Sequence, residues 1–237
     1  MTINDAAPTI ISARGLQHSF GSTQALRGID LDVHAGEVLA IMGPSGSGKS
    51  TLLHCLAGVM KPDGGSVAYS PAGRTPLEVS ALPESKRTRL RLTDFGFVFQ
   101  FGQLLPELSA EDNVSIPLLL NGIKRPEALR RSTELLERLG LDGLGSKLPG
   151  ELSGGQAQRV AVARSLVTSP SVLFADEPTG ALDSLASENV LTVMLDLVRD
   201  SGTTVVMITH DARTAAYADR EVMVRDGAMG AGYRVSA

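Results

Sequence analysis

Cysteine and tryptophan are nearly absent from this chain of 237 residues, which contains one cysteine, Cys55, and no tryptophan. A single cysteine excludes an intrachain disulfide framework and a zinc site made only of cysteines. It also favours a reducing compartment, because proteins of oxidising compartments usually carry paired cysteines. Cys55 itself is most simply a residue of the core.

Long apolar runs and an excess of positive charge are also lacking. No stretch approaches the roughly 18 consecutive apolar residues that predict a membrane-spanning helix, and the first residues do not resemble a secretory signal peptide. With 22 Lys and Arg against 26 Asp and Glu, the formal net charge is −4. This balance argues against nucleic-acid binding by charge alone. Any membrane role is expected to come through a partner.

Glycine is abundant, with 25 residues, which indicates places where the backbone turns tightly or approaches a ligand. Buried-strand patterns alternate with helical patterns along the chain. The strand patterns lie at 10–11, 25–33, 37–42, 67–69, 95–99, 171–175, 203–209 and 221–225, and the helical patterns at 49–57, 126–139, 184–199 and 211–217. Strands and helices that alternate around a purely helical stretch at 100–168 predict an α/β fold with a helical subdomain.

A glycine-rich segment, GPSGSGKS at residues 43–50, stands between a predicted strand and a predicted helix. It fits the phosphate-loop pattern G-x-x-x-x-G-K-[ST]. The glycines let backbone N–H groups surround phosphates, and the next helix directs its positive end at them. The lysine would reach the β- and γ-phosphates, and the hydroxyl after it would bind Mg²⁺. The predicted nucleotide-binding residues are Gly43, Ser45, Gly46, Gly48, Lys49, Ser50 and Thr51.

Two further predicted strands end in residues that suit phosphoryl transfer. Asp176 and Glu177 follow the strand at 171–175, which Pro178 ends. Asp176 is expected to join the Mg²⁺ shell, and Glu177 to polarise the attacking water as a general base. His210 follows the strand at 203–209 and is expected to contact the γ-phosphate.

A second glycine motif, LSGGQ at residues 152–156, precedes another predicted helix. Ser153 suits the N-cap of that helix and the two glycines expose backbone donors, which makes a second anion-binding terminus. One nucleotide needs only one phosphate loop, so this terminus would serve a nucleotide held by another chain. LSGGQ about twenty residues before an acidic strand end resembles the signature motif of the ATP-binding-cassette (ABC) ATPases.

The resemblance covers about residues 8–228 and extends to the other motifs of the family. Gln100 matches the glutamine loop that senses Mg²⁺ and the attacking water, and Asp183 matches the loop that crosses the dimer interface. His210 matches the switch histidine, and Phe20 stands where the family stacks an aromatic ring on adenine. The resemblance implies catalysis by Glu177, His210 and Gln100, with Mg²⁺ held by Ser50, Gln100 and Asp176.

The resemblance further implies a sandwich of two copies of the chain. Each ATP would lie between the phosphate loop of one copy and the signature residues Ser153, Gly154, Gly155 and Gln156 of the other. The whole chain, 1–237, would be one ABC ATPase domain with a P-loop NTPase core at about 8–99 and 169–228. That core would include an antiparallel β subdomain, and the inserted α-helical subdomain at about 100–168 would carry the signature.

Residues 78–114 and 177–183 are similar to the MacB/LolD/FtsE branch of the family. ATPases of this branch pair with an integral membrane permease of FtsX/MacB type, which is expected here as a separate polypeptide. The protein is then expected at the cytoplasmic face of the cell membrane. An apolar cluster after the glutamine loop is expected to contribute to the cleft that receives the permease: Phe99, Phe101, Leu104, Leu105 and Leu108.

Three functions stay open for a member of this branch. The lead hypothesis is the ATPase subunit of a membrane exporter for a hydrophobic or amphiphilic compound, such as haem, a macrolide, a peptide or a lipoprotein. The alternative is an FtsE-like regulator of cell division and cell-wall hydrolysis. The third is a soluble ABC ATPase of iron–sulfur assembly. No residue pattern in the sequence identifies a cargo.

Overall fold

The computed structural model describes residues 7–230. Its strands are β1 (Thr9–Phe20), β2 (Thr23–His34), β3 (Val38–Met42), β4 (Gly64–Tyr69), β5 (Leu77–Glu78), β6 (Phe95–Phe99), β7 (Val172–Asp176), β8 (Thr204–Ile208), β9 (Arg220–Arg225) and β10 (Ala228–Met229). Its helices are α1 (Lys49–Leu56), α2 (Glu84–Thr93), α3 (Ala110–Leu120), α4 (Arg125–Arg138), α5 (Gly154–Leu166), α6 (Ser184–Ser201) and α7 (Ala212–Ala215). The chain divides into two compact units, one of residues 7–91 and 202–230 and the other of Leu92–Ser201.

The first unit contains an antiparallel sheet in the order β2-β1-β4-β5. Strand β1 lies between two partners, since Ile11 pairs with Val33 of β2 and with Tyr69 of β4. Apolar residues of β1 such as Ile11 and Ala13 are fully buried, as expected for strands that cover a core with one face. This sheet is the antiparallel β subdomain that the family resemblance implies.

The same unit holds a parallel group in which β3 pairs with β8 on one side and β9 on the other. Residues 38–41 of β3 and all of β8 are buried. A parallel strand that is covered on both faces has to be apolar throughout, and this explains the unbroken apolar run at 38–42. Helix α1, which follows β3 after the glycine-rich loop, contacts β8.

The second unit combines the parallel pair of β6 and β7 with four helices. The ring of Phe174 contacts those of Phe95 and Phe97. Helix α5 packs against β6, α3, α4 and α6. Gly96 permits the close approach of α5 to β6, because a Cβ there would lie 2.4 Å from the carbonyl oxygen of Ser165.

The α/β fold class is confirmed, and β6 has the predicted bounds. Between residues 100 and 171 the described chain contains helices and loops without a strand, and this matches the predicted helical character. The prediction that 100–168 is a subdomain of its own stays a prediction. The predicted ABC ATPase domain, 1–237, includes residues outside the described range of 7–230. No helix within residues 7–230 combines the length and the apolar character needed to cross a bilayer.

Candidate active site

The loop between β3 and α1 requires glycine at defined positions. Gly43, Gly46 and Gly48 have φ angles of 148°, 77° and 99°, values that side chains rarely adopt. A Cβ on Gly43 would lie 2.0 Å from the carbonyl oxygen of Val224, and one on Gly48 would lie 2.4 Å from that of Ala25. The loop is therefore wedged against neighbouring backbone in a shape that only glycine supports.

Lys49 folds back over this loop at the start of α1. Its Nζ donates hydrogen bonds to the carbonyl oxygens of Gly43 and Pro44, each at 2.9 Å, and the residue is only 7% exposed. The buried hydroxyl of Ser47 has no hydrogen-bond partner, and no side chain caps the N-terminus of α1. A buried cation, an unpaired Ser47 hydroxyl and a helix N-terminus without a side-chain cap together fit the phosphates of a nucleotide. Around them, Ser45 and Ser50 are exposed and Thr51 is half-buried.

The strand pairing brings His210 to the edge of the sheet from which the glycine-rich loop starts. Ile41 of β3 pairs with Ile208 of β8, and the Thr209 N–H donates to the carbonyl oxygen of Ile41 at 3.2 Å. Since parallel strands end at the same edge, exposed His210 lies on the side where Gly43 begins the loop. The predicted γ-phosphate contact of His210 has the necessary strand geometry within this unit.

Phe20 ends β1 and is 53% exposed. Its ring lies edge-to-face on the ring of His18, with centroids 4.8 Å apart. The Asp63 carboxylate accepts a hydrogen bond from the Ser19 N–H at 2.7 Å and lies 3.4 Å from His18 Nδ1. The Phe20 ring is exposed and is supported by its contact with the His18 ring, so it is suited to stacking on a base.

In the second unit, three predicted residues lie together at the ends of β6 and β7. Phe99 pairs with Asp176 across the parallel strands, so Gln100 and Glu177 both follow this pair. A Cβ on Gly180 would lie 2.8 Å from Nε2 of Gln100 and 3.1 Å from Oε2 of Glu177. The amide and the carboxylate therefore converge on Gly180.

The signature segment forms the predicted helix start. Ser153 is the N-cap of α5: its Oγ accepts from the Gln156 N–H at 3.3 Å, and Gln156 Oε1 accepts from the Ser153 N–H at 2.8 Å. This reciprocal pair is a capping box, so the side chain of Gln156 has a structural role here. Ser153 and Gly154 remain exposed.

A pocket opens beside the signature segment, against the segment at 181–190. Its lining residues are Ser153, Gly154, Gly155, Arg159, Ala181, Leu182, Asp183, Ala186, Asn189 and Val190. A Cβ on Gly154 would lie 3.3 Å from Leu182, and Asp183 Oδ1 accepts from the Ala186 N–H at 2.8 Å. Asp183 thus holds the start of α6 and borders the pocket.

Each unit therefore contains some of the predicted site residues. The first holds the glycine-rich loop, Phe20 and His210, and the second holds Gln100, Asp176 and Glu177 together with the signature segment and Asp183. Sequence reasoning missed Gly180, where two catalytic candidates converge, and Gln158, whose contacts are described below. Gly180 lies within the motif at 177–183, which assigns it no role of its own. No motif marks Gln158, because its partners Phe99 and Pro178 are 59 and 20 residues away.

A family model described as "ABC transporter" matches residues 26–180. The chain belongs to this family. The lipoprotein-releasing system ATP-binding protein LolD 2 of Caulobacter vibrioides is 46% identical over 222 residues, which are 92% of this chain and 95% of that protein. The macrolide export ATP-binding/permease protein MacB of Escherichia coli K12 is 46% identical over 204 residues, 86% of this chain but 31% of MacB.

A solved structure supports the same assignment. The dimeric post-hydrolysis state of the ATP-binding cassette MJ0796, bound to ADP and Pi, matches with a TM-score of 0.85 and 33% identity. The match covers 96% of this chain and 99% of the MJ0796 chain. This ABC protein is accordingly an ATP-binding and ATP-hydrolysing subunit of a transporter, and its loop at 43–50 fits the phosphates of ATP. The roles of individual residues stay predictions.

Proposed function

We propose that this ABC ATPase works as a dimer that binds two ATP molecules between its copies. The observation that carries the proposal is the pocket at the N-terminus of α5, which Ser153, Gly154 and Gly155 line together with Asp183. Ser153, Gly154 and Gly155 of one copy would contact an ATP that the other copy holds with its loop. The dimeric state of the MJ0796 cassette supports this arrangement.

Within each site we assign roles by chemistry. Lys49 stabilises negative charge on the β- and γ-phosphates, Glu177 orients the attacking water and accepts its proton, and His210 contacts the γ-phosphate. Catalysis of this kind is positioning plus charge stabilisation. Gln100 touches the attacking water, and its convergence with Glu177 near Gly180 supports the pairing of these two groups.

Mg²⁺ is the cofactor that this donor set fits. Ser50, Gln100 and Asp176 offer hydroxyl, amide and carboxylate oxygens, which are the hard ligands that Mg²⁺ prefers. The described residues contain no group of three or more His, Cys, Asp or Glu side chains able to hold a metal. That suits an ion bound chiefly by substrate phosphates and water. When bound, Mg²⁺ neutralises charge on the phosphates.

We further propose that ATP hydrolysis powers a separate FtsX/MacB-type permease that moves a hydrophobic or lipid-bearing compound. The likeness to LolD 2 over nearly the full length of both chains supports this proposal. The attachment surface would be the loop after Gln100, where Phe101 is 76% exposed and Leu105 is also exposed. Such a pair of exposed apolar side chains suits a helix of the partner. The ATPase would then lie at the cytoplasmic face of the membrane.

The proposal is tested by capture from detergent-solubilised native membranes. Tagged Glu177→Gln is expected to retain ATP and stay dimeric, and with ATP it should recover a permease with FtsX-like transmembrane helices, identified by mass spectrometry. Phe101→Asp added to this variant should lose the permease while it still dimerises. Val59→Asp, a change at an exposed apolar residue of the other unit, is the matched control and should retain it.

The outcomes separate the functions. A permease whose deletion causes sensitivity to toxic compounds or retention of lipoproteins supports the transporter, whereas one whose deletion blocks division supports the FtsE-like regulator. Recovery of soluble proteins alone would overturn the permease proposal and favour iron–sulfur assembly. Near-normal hydrolysis by Glu177→Gln would remove Glu177 as the base.

A further inference from the structure

Gln158 lies in the middle of three functional segments of the second unit. It is a residue of α5, just after the signature motif, and is only 4% exposed. Its side-chain Nε2 donates two hydrogen bonds, to the carbonyl oxygen of Phe99 at 3.0 Å and to that of Pro178 at 2.6 Å. Because both partners are acceptors, the amide nitrogen has to face them.

The two carbonyl groups belong to the segments that carry the catalytic candidates. Phe99 precedes Gln100, and Pro178 follows Glu177. One amide group therefore joins the backbone next to the glutamine to the backbone next to the carboxylate. The Gln100 and Glu177 side chains converge on Gly180. The Gln158 amide therefore sets the distance between the two backbone segments that carry these side chains.

Gln158 also contacts the loop that continues from Gln100. A Cβ on Gly102 would lie 3.3 Å from Oε1 of Gln158. The Gly102 N–H donates to the same Phe99 carbonyl oxygen at 3.0 Å. The side chain thus touches the start of the glutamine loop with both ends of its amide.

We infer that Gln158 is a positioning residue that links the signature helix to Gln100 and Glu177. This inference rests on the proposed roles of those two residues and of the signature segment. When the N-terminus of α5 engages a nucleotide, any shift of the helix reaches both catalytic groups through one buried amide. The bond to the buried Pro178 carbonyl group transmits such a shift because breaking it takes this partner from a buried acceptor, whereas the Phe99 carbonyl oxygen also accepts from the Gly102 N–H.

The test replaces the amide by an apolar group of similar length, Gln158→Met. We expect kcat for ATP hydrolysis to fall by about 10- to 100-fold, as for a small misplacement of catalytic groups. The KM for ATP and the equilibrium binding of a fluorescent ATP analogue should change by less than about twofold, because the glycine-rich loop is untouched.

Two comparisons distinguish positioning from general stability. Ser165→Ala removes a buried hydroxyl of the same helix that donates only to Val162 at 2.7 Å, and it should lower thermal stability without lowering kcat. The double variant Gln158→Met with Glu177→Gln should be no slower than Glu177→Gln alone within about twofold, because residues that act as a unit are not additive.

The possible results separate this inference from the proposed function. Suppose that Glu177→Gln loses hydrolysis but Gln158→Met keeps a kcat within about twofold of wild type. This result overturns only the role of Gln158. Unchanged hydrolysis in Glu177→Gln overturns the proposed function first. Equal losses of kcat in Ser165→Ala and Gln158→Met would indicate a structural role. If Gln158→Met does not fold, Gln158→Ala leaves room for water at the two carbonyls and should show the same loss of kcat.

Discussion

At the scale of single residues, Gly48 shows how strictly the glycine-rich loop is specified. Its φ angle is 99°, and the carbonyl oxygen of Ala25 occupies the place of a Cβ, at 2.4 Å. Gly73 shares the left-handed conformation, with φ of 68°, but has no atom within 4 Å of a built Cβ. A comparison of the two positions therefore separates the cost of a side chain in the left-handed conformation from the cost of a collision with the Ala25 carbonyl group.

Gly48→Ala is therefore expected to destabilise the fold more than Gly73→Ala. Strain alone should cost about 1 kcal/mol of unfolding free energy at Gly73, whereas collision should add roughly 1–3 kcal/mol at Gly48. Urea unfolding measures the difference, and ATP binding should be lost only in Gly48→Ala. Equal unfolding free energies for the two variants would contradict the collision.

Cys55 is predicted to be inert in the native protein. The residue is 1% exposed on α1, and burial, followed by the negative charge of Asp63, raises the pKa of its thiol to about 12. Below that pH the native thiol stays protonated, and the thiolate is the form that reacts. A disulfide reagent at mildly alkaline pH should react slowly with native protein and rapidly in guanidinium chloride. Equal rates in the two conditions would show that the thiol is accessible.

At the scale of elements, Asn113 organises the loop before α3. The residue is fully buried. Its Oδ1 accepts from the Leu105 N–H at 2.8 Å, and its Nδ2 donates to the carbonyl oxygens of Leu105, Leu108 and Ser109 at 2.9–3.0 Å. This one side chain fixes the segment that presents exposed Leu105, part of the proposed permease surface.

Asn113→Ala should lower the free energy of unfolding by about 3 kcal/mol, because it removes the hydrogen bonds of a fully buried side chain to four backbone groups of the loop. Ser109→Ala is the matched comparison: it removes the α3 cap, in which Oγ accepts from the Asp112 N–H at 3.1 Å, and should cost about 1 kcal/mol. Denaturant unfolding measures both. Capture with ATP should show that Asn113→Ala also recovers less permease. A smaller cost for Asn113→Ala than for Ser109→Ala would contradict this role.

At the scale of the whole molecule, the proposed sandwich predicts that two defects complement each other. Ser153→Arg should bind ATP yet fail to hydrolyse it, and Lys49→Ala should bind ATP poorly. A mixed dimer contains one intact site, made of the normal loop of the first variant and the normal signature of the second. Such pairing follows from the two-fold symmetry of an isologous dimer.

Mixing the two inactive variants in equal amounts should therefore restore hydrolysis, up to about one quarter of the wild-type rate if the sites act independently. Phosphate release measures this recovery. Each variant mixed with itself is the control and should stay inactive. No recovery in mixtures whose mixed dimers are verified by mass would contradict the shared site, as would normal hydrolysis by Ser153→Arg alone.

The sequence by itself determined the fold class, the strand at 95–99, the glycine-rich loop and the N-cap role of Ser153. These features are local: a phosphate loop or a helix cap involves residues a few positions apart, so their spacing along the chain is their spacing in the protein. For the same reason, most predicted helix and strand ends lie within three residues of the observed ones. The exception is β1 (Thr9–Phe20), of which the pattern predicts only residues 10–11.

Only the tertiary structure decided what joins these motifs. Gln158 bonds to carbonyl groups 59 and 20 residues away, and Gly180 marks the place where Gln100 and Glu177 converge. In the sequence, Gln158 is a polar residue of an ordinary helix and carries no sign of burial. Its position is set by the packing of α5 against β6 and the segment after β7, a long-range arrangement that no local pattern encodes.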